Sequence, residues 1–214
     1  TSERVEREKQ KPLFDAPVRF LSLAYLKGTA DAALMEDYGI ADLAPLCRDL
    51  DDVAAVLAGV DLVIVGDGPE RPAVETAAAA DPGIHDLGRQ PYRVLPGIVA
   101  RSICGLVPKN NLGDRTGTGL YPLKVFETLA CGVPAIVSDF PGQADLVRDN
   151  NAGLAVPAEN PAALARAVAD LASNPQAAHA SGKRGRAAIV AAHSWDIRAG
   201  ATQDVLDRLM GAAG

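Results

Sequence analysis

Asp61-Leu-Val-Ile-Val-Gly66 is a continuous apolar run, closed at once by Asp67-Gly68-Pro69. No polar residue alternates within it, so the strand it encodes is expected to be covered on both faces. The glycine and proline that follow make a turn and start a helix. A strand of that kind belongs to a parallel sheet joined by crossover helices.

The same pattern repeats on either side. Upstream, Val18-Arg-Phe-Leu-Ser-Leu-Ala24 reads as a first buried strand, bounded by Pro17 and Gly28. Residues 29–60 are rich in Ala, Leu and Asp with helical periods broken at Tyr38-Gly39-Ile40, so helices are expected there. Downstream, the pattern predicts helix 70–80, strand 84–88, helix 91–102 and strand 103–107. After a long loop it predicts helix 121–131, strand 134–138, helix 142–148, strand 152–156 and helices 160–173, 175–192 and 196–210. Strand and helix alternate throughout. The expected fold is α/β, a doubly wound parallel sheet of Rossmann-like type.

Composition narrows the class. At 214 residues the chain suits one globular domain with an ample core, given roughly 100–200 residues per domain. Its 22% charged fraction has mixed signs and argues against disorder. No run approaches the roughly 18 apolar residues that a membrane span requires. A net charge of -6 lowers the expectation of nucleic-acid binding, yet leaves room for a local cationic pocket. Cys47, Cys104 and Cys131 are scattered and odd in number, which speaks against a disulfide framework or a thiolate zinc site and makes a reducing cytoplasm the expected setting. His85, His179 and His193 are isolated and lack metal-ligand spacing. Packing or solvent exposure is the expected role of each, and Cys104, Cys131 and Trp195 read as core residues, with an interdomain contact a second reading for Trp195. Thr1-Ser-Glu-Arg-Val-Glu-Arg-Glu-Lys-Gln-Lys-Pro12 alternates charges without an apolar period, so 1–16 reads as a linker or arm. With Thr rather than Met in first place, the chain reads as a piece of something longer.

In a doubly wound sheet of order 3-2-1-4-5-6, ligands bind at the carboxyl ends of strands 1 and 4, where the order reverses. Strand 1 delivers Tyr25-Leu-Lys-Gly28. Strand 4 delivers the glycine-rich stretch 108–119 and then Leu120-Tyr-Pro-Leu-Lys124. A loop feeding a helix N-terminus offers unpaired N–H groups and the positive end of the dipole, both suited to a phosphate. Pro122 fits the first helical turn. Glu127 follows Lys124 by three residues. That spacing fits an exposed ion pair, and it equally fits a lysine facing phosphate beside an acid that accepts ribose hydroxyls. Spacing leaves both readings open. A nicotinamide enzyme would require Gly-x-Gly-x-x-Gly after strand 1, and Ala24-Tyr-Leu-Lys-Gly28 lacks it.

Four blocks go further: Asp61 to Glu70, Leu87-Gly-Arg-Gln-Pro-Tyr92, Tyr121 to Ser138, and Ala152-Gly-Leu-Ala-Val-Pro157, with His193-Ser-Trp195 trailing. In order and spacing they resemble the donor-binding, C-terminal half of retaining GT-B glycosyltransferases of family 4 type (glycosyl transferases group 1), over residues 17–210. The resemblance implies a nucleotide-diphospho-sugar at the carboxyl ends of strands 1 and 4. Glu127 matches the second acid of the family's Glu-x7-Glu motif, which binds the ribose, and Lys124 joins it as a catalytic candidate. Lys27-Gly28 resembles the Lys-Gly that reaches the diphosphate. Gly119, Leu120, Tyr121, Pro122 and Leu123 match the segment facing phosphates and sugar. Gly88-Arg89 match the turn beside the base, with Gly66 at the neighbouring strand end. Two departures stand out. Gly119 occupies the place of the family's first Glu, and the Gly-Arg that usually precedes the family lysine is missing.

The resemblance also implies catalysis by helix N-termini and lysines acting on the leaving diphosphate, with no metal or other cofactor, and the sequence shows no Asp-x-Asp pair at a strand end. It implies a domain over 17–195, and a helix over 196–214 expected to pack toward an N-terminal acceptor domain supplied in cis or in trans. The lone chain is therefore expected to bind donor without transferring sugar. No nucleic-acid partner is expected, and peripheral membrane association is left open for the complete enzyme. The alternative is a non-catalytic nucleotide-binding or regulatory subunit, which Gly119 and the missing arginine favour.

Overall fold

The structure, a computed structural model, describes residues 20–21, 25–26, 60–111 and 119–211. The apolar runs form its strands. β1 (Phe20–Leu21), β2 (Tyr25–Leu26), β3 (Asp61–Gly66), β4 (Ile84–Asp86), β5 (Ser102–Val107), β6 (Ala135–Ser138) and β7 (Gly153–Val156) make one sheet in which every pairing is parallel.

β1 and β2 are successive stretches along one edge of β3. Phe20 pairs with Asp61 and Tyr25 with Val65, a register that slips by one residue between them. On the opposite edge the Leu62 and Gly66 amides donate to the Gly83 and Gly88 carbonyls, while the Leu87 amide donates to the Ile64 carbonyl. The spatial order is therefore β4, β3, β1 with β2, β5, β6, β7. The chain winds outward from β1 to β4, then returns to the other side of β1 with β5. The reversal falls between β1 and β5, as the doubly wound expectation requires.

Alternate strand residues feed two cores, because successive side chains point to opposite faces. Leu62, Ile64, Cys104, Leu106 and Ile136 meet Val74 of α1 (Arg71–Ala80) and Leu164 and Val168 of α5 (Pro161–Ser173). On the other face Val63 and Val65 meet Leu95 and Ile98 of α2 (Leu95–Val99). There too, Val107, Ala135 and Val137 pack on Val125 and Leu129 of α3 (Leu123–Ala130), Val147 of α4 (Gln143–Asp149) and Ile189 of α6 (Pro175–Ala192). Each fully buried aliphatic side chain contributes about 1.5–3 kcal/mol. This is why the strands carry no polar alternation.

Several expectations are corrected. Helix 91–102 is instead a 3-10 turn, Tyr92–Val94, followed by the short α2, with strand β5 already under way at Ser102. Pro122 is not in the first turn: it caps α3 with extended backbone, φ -62° and ψ 132°. Trp195 opens the last helix, α7 (Trp195–Gly211), and is 77% exposed, so it is no core residue. Cys104 is fully buried as expected, whereas Cys131 is only partly so. The charged arm 1–16, Cys47 and the helices expected within 29–60 lie outside the described residues. Of the first expected strand, only Phe20–Leu21 is described.

Candidate functional site

The entry to α3 is held in place from the side. The Leu120 amide donates to the Pro141 carbonyl at 2.8 Å, and Leu120 bridges in parallel to Gly142. Gly142 has φ +87°, and a Cβ there would sit 2.7 Å from the Leu120 carbonyl oxygen, so only glycine allows this approach. Gly142 in turn donates its amide to Asp145 Oδ2. α3 therefore starts at a fixed point beside the carboxyl end of the sheet. No side chain caps it, so its first amides and the positive end of its dipole face outward. Tyr121 and Leu123 are exposed beside this end, each at 61%.

Lys124 is the second residue of α3 and Glu127 lies about one turn further on. They form no ion pair with each other, which removes the simplest reading of their spacing. Burial, reinforced by the nearby charge of Lys109, pushes the Lys124 ammonium down to about 8, and Glu127 opposes that shift only weakly. Lys109 follows β5. Its amide donates to Ser138 Oγ at 2.7 Å, and the same hydroxyl donates back to the Lys109 carbonyl at 2.9 Å, fastening the loop to the end of β6. Burial also lowers the Lys109 ammonium. Burial thus makes both lysines more costly to charge than a solvated lysine.

Glu127 lines a cavity together with Lys124. Its Oε1 accepts a hydrogen bond from the Tyr92 hydroxyl at 2.9 Å. The two side chains stand over a cavity of about 160 Å3 between α2 and α3, walled by Leu95, Pro96, Val99, Thr128 and Cys131, with Lys124 at one side. The cavity is apolar except for these few groups, as small-molecule sites commonly are.

The adjoining turn is also fixed. The Gly66 amide donates to the Gly88 carbonyl, the Gly88 amide donates to Asp86 Oδ1, and Arg71 lies 3.5 Å from the other oxygen of Asp86. Arg89 is exposed beyond this turn.

The structure therefore brings together Lys124, Glu127 and the 119–123 segment, and places Gly66 and Gly88 side by side at the ends of β3 and β4. Lys27 and Gly28 lie outside the described residues. Two residues went unassigned in the sequence. Tyr92 stands in the quoted block Leu87–Tyr92, but its partner is 35 residues away. Lys109 sits in the glycine-rich loop, where nothing local distinguishes it from a solvated charge. Among the described residues no cluster of three or more His, Cys, Asp or Glu side chains is arranged to hold a metal ion. His85 lies 3.6 Å from Asp61, and His193 meets the Phe126 ring at a tilt and contacts Arg198. His179 is exposed.

The family profile described as glycosyl transferases group 1 matches residues 42–174. A D-inositol 3-phosphate glycosyltransferase from Streptomyces bingchenggensis is 36% identical over 90 residues, 42% of this chain and 20% of that protein. A GDP-mannose-dependent alpha-(1-6)-phosphatidylinositol dimannoside mannosyltransferase from Mycobacterium tuberculosis is 33% identical over 132 residues, 60% of this chain and 32% of the relative. Among solved structures, sucrose-phosphate synthase from Thermosynechococcus elongatus superposes with a TM-score of 0.73 at 21% identity, covering 96% of this chain and 49% of that one. HepE from Anabaena, in complex with UDP and glucose, gives 0.66 at 15% identity over 99% and 53%. At such identities these structures speak to the fold, which is that of GT-B glycosyltransferases. The chain spans less than a third of the curated relatives and about half of the solved ones.

Proposed function

This chain belongs to the glycosyl transferases group 1 family, and we propose that within it the chain is the donor-binding half of a retaining, family 4 type enzyme. It takes a nucleotide-diphospho-sugar. The observation that carries this reading is the pair Lys124 and Glu127 on the first turns of α3, at the reversal of the sheet, one beside an uncapped helix N-terminus and the other over an apolar cavity. Glu127 accepts the ribose hydroxyls, while Lys124 and the α3 amides stabilise charge on the leaving diphosphate. Lys27 adds a further cation. The reaction proceeds in the cytoplasm without a metal, the developing negative charge being met by these groups.

Sugar transfer needs an acceptor-side domain, in cis or in trans, and α7 is the element offered to it. Relatives named for GDP-mannose and for inositol phosphate, and a structure holding UDP, make GDP and UDP the first ligands to try. Calorimetric titration with GDP, UDP and ADP is expected to give saturable heat for at least one. Glu127→Ala should weaken that ligand by about tenfold or more, the scale of a lost hydrogen bond to a charged group. Absence of heat with all three would overturn the donor-site reading.

A second reading has one observation behind it. Gly119, at φ +98°, offers no side chain where a sugar-binding acid would stand, which suits a non-catalytic regulatory subunit. Release of nucleoside diphosphate by the chain supplied with its acceptor-side half, measured in a coupled assay, separates the two.

A further inference from the structure

The geometry points to Tyr92 as a positioning residue that fixes the Glu127 carboxylate for a vicinal diol, an inference that rests on the reading of Glu127 as the ribose-binding acid. Tyr92 is 64% exposed, so core packing does not hold it. Its phenol nonetheless donates to Glu127 Oε1 at 2.9 Å, and the two mounts are rigid.

On one side the Leu87 amide donates to the Ile64 carbonyl, Gln90 Nε2 donates to the Leu87 carbonyl at 2.6 Å, and the Val94 amide donates to the Pro91 carbonyl. Leu95 and Ile98, just beyond, pack on Val63 and Val65. On the other side Glu127 stands on α3 between Val125 and Leu129, both fully buried. The phenol is therefore set at a fixed height over the cavity, and the carboxylate is drawn to it.

The stereochemistry of a carboxylate gives this contact its consequence. Each oxygen has two acceptor positions. The phenol occupies one on Oε1, leaving the other on Oε1 and both on Oε2. Two neighbouring hydroxyls donate to two oxygens of one carboxylate only when its plane is turned toward them. A free glutamate would lose rotamer freedom to meet that condition, whereas one already held by Tyr92 loses less. The phenol thus favours ligands that donate to Glu127 through a diol and is indifferent to those that do not.

The test is a titration series on the full chain: wild type, Tyr92→Phe, Glu127→Gln and the double variant, each against GDP or UDP, whichever binds more tightly, and its 2′,3′-dideoxy counterpart. Tyr92→Phe is expected to weaken the ribonucleotide by about three- to tenfold, less than the full value of a charged hydrogen bond because the site is open to water. The dideoxy ligand is expected to bind both proteins equally, which also shows that the variant is folded. In the Glu127→Gln background the tyrosine substitution is expected to add nothing.

Equal losses for the two ligands would overturn the inference, because the hydroxyl would then act on a part of the ligand other than the diol. So would an unchanged ribonucleotide affinity in Tyr92→Phe while Glu127→Gln weakens it, and in that case the ribose-binding role of Glu127 stands. No binding by the wild type, or no loss in Glu127→Gln, would remove the underlying reading and this inference with it.

Discussion

Lys124 sits under two opposing demands. The fold buries its ammonium next to another lysine and lowers it to about 8 from an ordinary 10.5. An anion in the site would reverse that preference. Between these two values the unfolded chain binds more protons than the folded one, so stability rises with pH across the window. Below about 8 the folded protein carries the full cost of the buried charge. Lys124→Met is expected to raise the melting temperature at pH 7 by roughly 3 °C or more, with the gain vanishing above pH 10.5. Melts between pH 6 and pH 11 check this, and a methionine variant that melts no higher than the wild type at pH 7 would contradict it.

The same shift predicts proton uptake on nucleotide binding. A diphosphate stabilises the charged lysine, so its affinity falls as pH rises through about 8. Calorimetry near that pH, in buffers of different ionisation heat, should show uptake by the wild type and a smaller uptake by Lys124→Met.

Among the elements, α3 is fixed at both ends by glycines that admit close backbone approach, and the two ends do different work. At its C-terminal side α6 passes so near the following turn that a Cβ on Gly182 would lie 2.0 Å from the Gly132 carbonyl oxygen. Gly182→Ala must part α6 from that turn and is expected to cost about 2–4 kcal/mol, or roughly 4–16 °C in melting temperature. At the N-terminal side Gly142→Ala pushes on Leu120 and moves the α3 amides proposed to hold the diphosphate. Gly142→Ala should therefore lower nucleotide affinity as well as stability, whereas Gly182→Ala, titrated well below its melting temperature, should bind normally. Equal affinity losses in the two would show that the α3 N-terminus is not fixed independently.

The sequence made these elements readable to unequal degrees. The runs at β3, β5 and β6 were legible because burial on both faces excludes polar residues, and the strand order is the one that the doubly wound pattern supplies. The segment after Gly88 was not, because Pro91 and Pro96 mimic a continuous helix start while the backbone makes a 3-10 turn before α2. In the site, the placing of Lys124 and Glu127 on a helix after a long loop was legible from the residues, whereas the roles expected of them came from the family resemblance, since their spacing fitted an exposed ion pair equally well. The Tyr92 contact was not, since it joins positions whose proximity arises only when α2 and α3 pack side by side on the same face of the sheet.

For the molecule as a whole, α7 is the part that its own domain does not account for. No residue of α7 is buried, while Val205, Leu206, Leu209 and Met210 are between 47% and 67% exposed. Residues four apart share a helix face, so these side chains make one apolar strip. A strip of this kind draws a partner or drives self-association. In the proposed enzyme its occupant is the acceptor-side domain. Leu209→Asp with Met210→Asp is therefore expected to leave the melting temperature of this chain within about 1 °C of the wild type, since neither side chain contributes burial to be lost. The same pair should reduce concentration-dependent association in sedimentation velocity, and should prevent an added acceptor-side half from restoring nucleoside diphosphate release. A fall of several degrees in the double variant would show instead that the strip packs on its own domain, and the role of α7 as a contact between halves would be lost.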